Sequence, residues 1–152
     1  ARILDAGCGP GRHAGWLFER GHHVVGVDVD PVLIAAAQED HPGPTFLVGD
    51  LAELDLPARG VEANFDIILS AGNVMGFLAP STRVETLRRL REHLAPEGRV
   101  VAGFGAGRGY EFTDFLEDAQ TAGLSPDLAF STWDLRPWHP GSDFLVAVLT
   151  AS

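Results

Sequence analysis

Short apolar runs alternate with stretches of helical period along almost the whole chain. Ile3 to Asp5, with Arg2, reads as a first strand, and a helix follows from about Arg12 to Arg20, where Gly21 stops it. "HVVGVDV" is a second strand. Asp30 then stands as an N-cap with Pro31 at the first helical position, opening a helix to about Asp40. "TFLVGD" is a third strand, short and buried, and "FDIILS" is a fourth. Thr82 and Glu85 form a capping box for a helix with Val84, Leu87, Leu90 and Leu94 on one face. Arg83, Arg88, Arg89 and Arg91 lie on its solvated side. "EGRVVAGF" is a fifth strand, and Phe112, Phe115, Leu116 and Ala119 mark a helix ended by Gly123. Two strand-like runs close the chain, around Leu128 to Trp133 and Phe144 to Thr150. No helix separates them, which predicts an antiparallel hairpin.

Five βα units and a hairpin predict a parallel sheet covered by helices. Ligands of such sheets sit at the carboxyl ends of the strands, where strand order reverses. The first turn, Asp5 to Gly11, lies at that place and reads D-x-G-x-G-x-G. A dinucleotide fingerprint would put its third glycine at position 12, which is Arg12. Asp5, ahead of the first glycine, is ill suited to a pyrophosphate and suits a ligand with a positive group. Asp28 ends the second strand and can accept both hydroxyl hydrogens of a ribose, a feature NAD sites and nucleoside sites share. Asp50 ends the third strand and can accept from the exocyclic amine of an adenine, with Val29 and Leu51 on either side of the ring. These parts match S-adenosylmethionine: an amino-acid head, a sulfonium, a ribose and an adenine, with no phosphate.

Composition narrows the field. A chain of 152 residues with 45 % hydrophobic content suits one domain with one core. The net charge is −10 and all 11 basic residues are Arg, so phosphate backbones are repelled and broad nucleic-acid binding is disfavoured. No apolar run reaches the length of a membrane span and no signal peptide is visible, which makes the cytoplasm the default location. Cys8 is the single cysteine, which leaves no intrachain disulfide and no metal cluster.

"ILDAGCGPGRHAGWL", "VVGVDVDP", "FLVGDLAEL", "FDIILSAGNVMGFL" and "LRRLREHLAPEGRVVAGF" resemble, in order, the motifs of class I S-adenosylmethionine-dependent methyltransferases, from Ile3 to about Phe104. The resemblance implies a doubly wound, mostly parallel seven-stranded sheet in the order 3-2-1-4-5-7-6, with strand 7 antiparallel. It implies S-adenosyl-L-methionine as cofactor and S-adenosyl-L-homocysteine as product. Gly7, Gly9 and Gly11 would lie against the methionine part, with Cys8 as a small apolar filler in the same turn. Asp5 would face the amino group and Asp28 the ribose. Val29 and Leu51 would flank the adenine, and Asp50 would bind its amine. Ser70, Ala71 and Gly72 would pass close to the methionine head and the methyl group. The family usually has more chain before the first strand, often helices that cover the cofactor and contact the substrate. This sequence starts without Met and almost inside a strand. The expectation is a single domain, 1–152, lacking such a lid.

Methyl transfer from a sulfonium is an in-line displacement with a good leaving group, so positioning supplies much of the catalysis. A general base matters only where the acceptor must lose a proton early. His13 and Asn73 are the candidate catalytic residues; packing of the helix start by His13 and an ordinary turn at Asn73, with Met75 as core filler, are the alternatives. Arg108, Tyr110, Trp138 and His139 lie on loops that either rim the substrate or serve the structure. His22, His23, His41 and His93 read as surface residues. Gly103 to Tyr110 is either a closing loop or a plain connector. A small molecule is the leading acceptor. A nucleic acid or protein acceptor is disfavoured by the charge and by "SAGNVMGF", which has no Asn-Pro-Pro-Tyr-like stretch. An NAD-dependent oxidoreductase is disfavoured by the glycine spacing. A non-catalytic cofactor-binding module remains compatible with every motif.

Overall fold

The computed structural model describes residues 1–72, 74–107 and 109–152. Seven strands form one sheet: β1 (Arg2–Ala6), β2 (His23–Asp28), β3 (Thr45–Val48), β4 (Phe65–Ser70), β5 (Leu94–Gly105), β6 (Leu124–Phe130) and β7 (Phe144–Ala151). Their order is β3-β2-β1-β4-β5-β7-β6. All pairs from β3 to β5 are parallel, and β7 runs antiparallel to both β5 and β6. Among the described residues four α-helices lie between strands: α1 (Arg12–Glu19), α2 (Pro31–Asp40), α3 (Arg83–Glu92) and α4 (Phe112–Thr121).

Side-chain alternation divides the core into two layers. Leu4, Ala6, Val25, Val27, Ile68, Val100, Ala102 and Phe104 point to one face and pack on Leu87 and Leu90 of α3 and Phe112 and Phe115 of α4. Val24 and Phe46 on the other face pack with Ala14 of α1 and Ile34 and Ala37 of α2. Further along that second face, Ile67, Leu69, Val101 and Val148 are only partly buried. There the Trp133 indole lies on Gly103, where a Cβ would collide with it, and packs beside Phe144. No described helix is long and apolar enough to cross a membrane.

Several local expectations change in three dimensions. β3 pairs within the sheet only with β2, so as an edge it buries Phe46 but leaves Thr45 and Val48 exposed. No α-helix follows it among the described residues. Two 3-10 turns, Leu51–Glu53 and Pro57–Arg59, make the connection instead of a fifth βα unit, with Asp50 capping the first. The capping box does not form. Thr82 Oγ1 donates to the Ala79 carbonyl, and Glu85 is held by Arg88 and Arg89. The arginines of α3 are also less solvated than their pattern suggests. Arg83 donates to the Gly109 carbonyl and lies over Tyr110, Arg89 reaches the Leu54 carbonyl, and Arg91 reaches the Gly123 and Ser152 carbonyls. His93 is buried, with Nε2 accepting from the Leu56 N–H (3.1 Å) and Nδ1 facing the Arg89 carbonyl at 2.7 Å. Leu94 belongs to β5 rather than α3. β6 begins and ends earlier than its apolar pattern, because the chain turns after Phe130, with the Ser131 N–H donating to the Arg136 carbonyl.

Candidate active site

Strand order reverses between β1 and β4, and the carboxyl ends of these strands and of β2 and β3 converge on one cleft. The glycine turn after β1 forms its floor. Gly7 and Cys8 both donate their N–H to the Val27 carbonyl, at 2.8 and 3.0 Å, folding the turn back over β2. Gly7, Gly9 and Gly11 have φ of +83°, +54° and +87°, in the left-handed region that glycine enters without steric cost. Their roles differ. A Cβ on Gly7 would stand 2.5 Å from Val74 Cγ2, and one on Gly9 would meet open space. A Cβ on Gly11 would stand 2.9 Å from both Ala37 and Phe46, so Gly11 serves the packing of the turn on α2 and β3.

Asp28 ties the turn to β2. Its Oδ2 accepts from the Gly9 N–H and its Oδ1 from the Asp30 N–H, each at 2.9 Å. Each oxygen keeps a second acceptor site for a ligand hydroxyl. Asp30 in turn caps α2 through the Val32 N–H, with Pro31 at the first helical position. At the end of β3, Asp50 Oδ1 accepts from the Ala52 N–H, and Arg59 donates to the Val48 carbonyl at 2.8 Å.

The cleft has two contiguous parts that share Gly7, Asp28, Val74 and Phe77. The first, about 400 Å³, is lined by Asp28, Val29, Gly49, Asp50, Leu51, Leu78, Ala79 and Thr82. The second, about 480 Å³, is lined by Asp5, Cys8, Gly9, Pro10, Arg12, His13, Leu33, Ala71 and Gly72. Ten of the twelve sequence-predicted cofactor residues therefore meet in one place. Gly11 and Ser70 do not line it. Ser70 pairs with Ala102, on the face carrying the larger core, and its buried Oγ has no hydrogen-bond partner among the described residues. His13 stands exposed at the start of α1 beside the cleft. Asn73 and Arg108 lie outside the described residues.

Charge in the second part is unusual. Asp5 is 1 % exposed and its Oδ2 has no partner among the described residues. Burial first, then the neighbouring Asp28 carboxylate, pushes its pKa up to about 7. The same causes, with Asp5 adding its charge, push the Cys8 thiol up to about 12, which makes it a packing group rather than a nucleophile.

Tyr110, Trp138 and His139 each have partners within the described fold. Tyr110 is buried, donates its hydroxyl to Asp118 at 2.5 Å and carries Arg83 over its ring at 3.8 Å. Trp138 packs edge-on against Phe112, and His139 Nδ1 accepts from the Gly141 N–H within a turn. In the segment after β5, the Ala106 N–H donates to the Asp143 carbonyl and Arg83 donates to the Gly109 carbonyl. Lining residues missed in the sequence cluster after β4: Val74, Phe77, Leu78, Ala79 and Thr82. The signal for them was their place directly after the carboxyl end of a strand at the order reversal.

Known proteins resemble this chain in sequence and fold. Residues 3–98 match the family described as "Methyltransferase domain". The chain aligns over its whole length with 80 % of a solved TehB-like SAM-dependent methyltransferase from Corynebacterium glutamicum, with 51 % identity and a TM-score of 0.94. It is 37 % identical over 100 residues to magnesium-protoporphyrin O-methyltransferase of Rhodobacter capsulatus, covering 62 % of this chain and 42 % of the relative. It is 35 % identical over 51 residues to 18S rRNA (guanine-N(7))-methyltransferase of Mus musculus, covering 34 % and 18 %. The chain spans about half the length, or less, of the first curated relatives it matches. It belongs to the class I S-adenosylmethionine-dependent methyltransferases.

Proposed function

We propose that this chain binds S-adenosyl-L-methionine in the cleft and transfers its methyl group to a small-molecule acceptor, releasing S-adenosyl-L-homocysteine. The observation that carries the reading is the buried Asp5 carboxyl at the floor of the glycine turn, whose Oδ2 has no partner among the described residues, in one cleft with Asp28 and Asp50. A buried acid oxygen with no partner among the described residues fits an ammonium group, and the open space above Gly9 fits a chain lying close to the backbone. In this reading Asp28 holds the ribose hydroxyls while its backbone donors fix its orientation. Val29 and Leu51 flank the adenine and Asp50 accepts from its amine. Gly7, Gly9 and Cys8 lie along the methionine, and Ala71 and Gly72 border the reacting end.

The bound cofactor supplies an electrophilic methyl on sulfur. The protein's part is to hold the acceptor in line with that methyl and to exclude water, with Val74 and Phe77 bordering both parts of the cleft. His13 is the candidate for receiving an acceptor proton, and Asn73 is a candidate for contacting the acceptor. The net charge of −10 supports a small acceptor over a nucleic acid.

Calorimetric titration with S-adenosylhomocysteine and, separately, with NADH tests the cofactor. Binding of the first, loss in Asp28→Ala and silence with NADH are expected; the converse refutes the reading. Transfer of labelled methyl to extract fractions then separates metabolites from RNA and protein. Label confined to RNA would overturn the small-molecule acceptor.

A further inference from the structure

The first part of the cleft has one wall that no strand supplies: Leu78, Ala79 and Thr82, on the segment between β4 and α3. Its hydrogen bonds are local. The Leu78 N–H meets the Met75 carbonyl at 3.4 Å, and the Thr82 N–H and hydroxyl both donate to the Ala79 carbonyl at 2.9 Å. Among the described residues, no hydrogen bond from Leu78 to Thr82 reaches a strand or the segment after β5. No side chain caps α3 where the wall ends. The tie comes one residue later. Arg83, the first residue of α3, crosses to the segment after β5: it donates to the Gly109 carbonyl at 2.8 Å, and its guanidinium lies 3.8 Å over the Tyr110 ring. That platform is itself fixed. Tyr110 is 1 % exposed, stacks with Phe104, meets Phe115 edge-on and donates its hydroxyl to Asp118 of α4. A charged donor and a cation over a desolvated ring are both stronger than their neutral or exposed counterparts. Further along α3, Arg91 makes a similar tie to the Gly123 and Ser152 carbonyls, before β6 and after β7, at the opposite end of the sheet from the cleft.

We infer that Arg83 is a positioning residue: by holding the start of α3 to Gly109 and Tyr110 it sets where Ala79 and Thr82 stand, and so how closely the base in the first part of the cleft is pressed toward Asp50. This rests on the cofactor reading above. Arg83 does not itself line either part of the cleft. Its effect passes through the backbone of the wall that ends at Thr82. A wall held in one place presents the edge of the base to Asp50 in one register. A wall released from Gly109 and Tyr110 still encloses a base but no longer enforces that register. The gain from Arg83 is therefore the bond between the adenine amine and Asp50, and a base without the amine gains little from it.

The test is calorimetry with two ligands, S-adenosylhomocysteine and S-inosylhomocysteine, in which a carbonyl oxygen replaces the adenine amine. The proteins are wild type, Arg83→Met, Arg83→Lys and Arg91→Ala, each with a thermal melt. Arg83→Met keeps the apolar stem and loses the donors and the charge. It should bind S-adenosylhomocysteine about fivefold more weakly, the size of one hydrogen bond, and S-inosylhomocysteine within about twofold of wild type. Arg83→Lys can still donate to the Gly109 carbonyl and lie over Tyr110, so it should recover part of the loss. Arg91→Ala should lower Tm and keep wild-type affinity for both ligands. Wild-type affinity for S-adenosylhomocysteine in Arg83→Met overturns the inference. Equal weakening of both ligands overturns it, because the register of the base would not depend on Arg83. An equal loss in Arg91→Ala overturns it as well, because affinity would then follow the stability of α3. Wild type that binds neither ligand refutes the cofactor reading itself, and this inference falls with it.

Discussion

In the proposed reading, Asp5 should make cofactor affinity and stability depend on pH in opposite senses. Its pKa is raised from 3.8 to about 7 by burial and by Asp28. The folded chain therefore keeps a proton that the unfolded chain releases near pH 4. Stability from this group falls as pH rises from about 4 to about 7, and above 7 the full cost is present. Three units correspond to about 4 kcal/mol. A ligand ammonium favours the ionised form, so affinity should move the other way, weakening about tenfold per pH unit below 7. The assay is S-adenosylhomocysteine titration between pH 5 and 8, with thermal melts of the unliganded chain over the same range. Binding at pH 6 should be about tenfold weaker than at its plateau, and at pH 5 about a hundredfold. Asp28, Cys8, Arg12 and His13 face the same pocket, so Asp5→Asn is the control that assigns the slope. That variant should bind weakly and without this slope, and should melt higher than wild type at pH 8. A flat affinity profile in wild type, or a slope that survives in Asp5→Asn, would refute the reasoning.

Gly7→Ala should cost about 1–2 kcal/mol for the left-handed backbone alone. It should also weaken S-adenosylhomocysteine binding, because its Cβ would strike Val74 at 2.5 Å; unchanged calorimetry would count against the close approach. Asp28→Ala should remove cofactor binding and also lower Tm, since it strands the Gly9 and Asp30 N–H groups at about 1–3 kcal/mol each where water does not replace the bond. His93→Leu should cost about 1–3 kcal/mol by leaving the Leu56 N–H without its acceptor. Its cofactor affinity should equal that of wild type, and a parallel loss of affinity would show that His93 supports the cleft.

The sequence by itself determined the strands, their alternation with helices and the turn that carries the site. Those features are local: an apolar period sets which face is buried, Asp30 and Pro31 set a helix start, and glycines permit positive φ at positions 7, 9 and 11. Asp5, Asp28 and Asp50 were legible as cleft-lining acids because a residue at the carboxyl tip of a strand reaches the cleft whatever the details of packing. Tertiary structure decided what depends on distant partners. β3 is an edge because its second neighbour is missing, which no property of "TFLV" encodes. Gly11 turned out to face Ala37 and Phe46, and His93 was drawn inward by a backbone N–H 37 residues away. Val74 reached Gly7 because β1 and β4, far apart in sequence, lie side by side. Arg12 stayed exposed beside the cleft, while Arg59, Arg83 and Arg91 were drawn to backbone carbonyls. A sequence states the charges a chain carries, and the fold decides which of them remain free for a ligand.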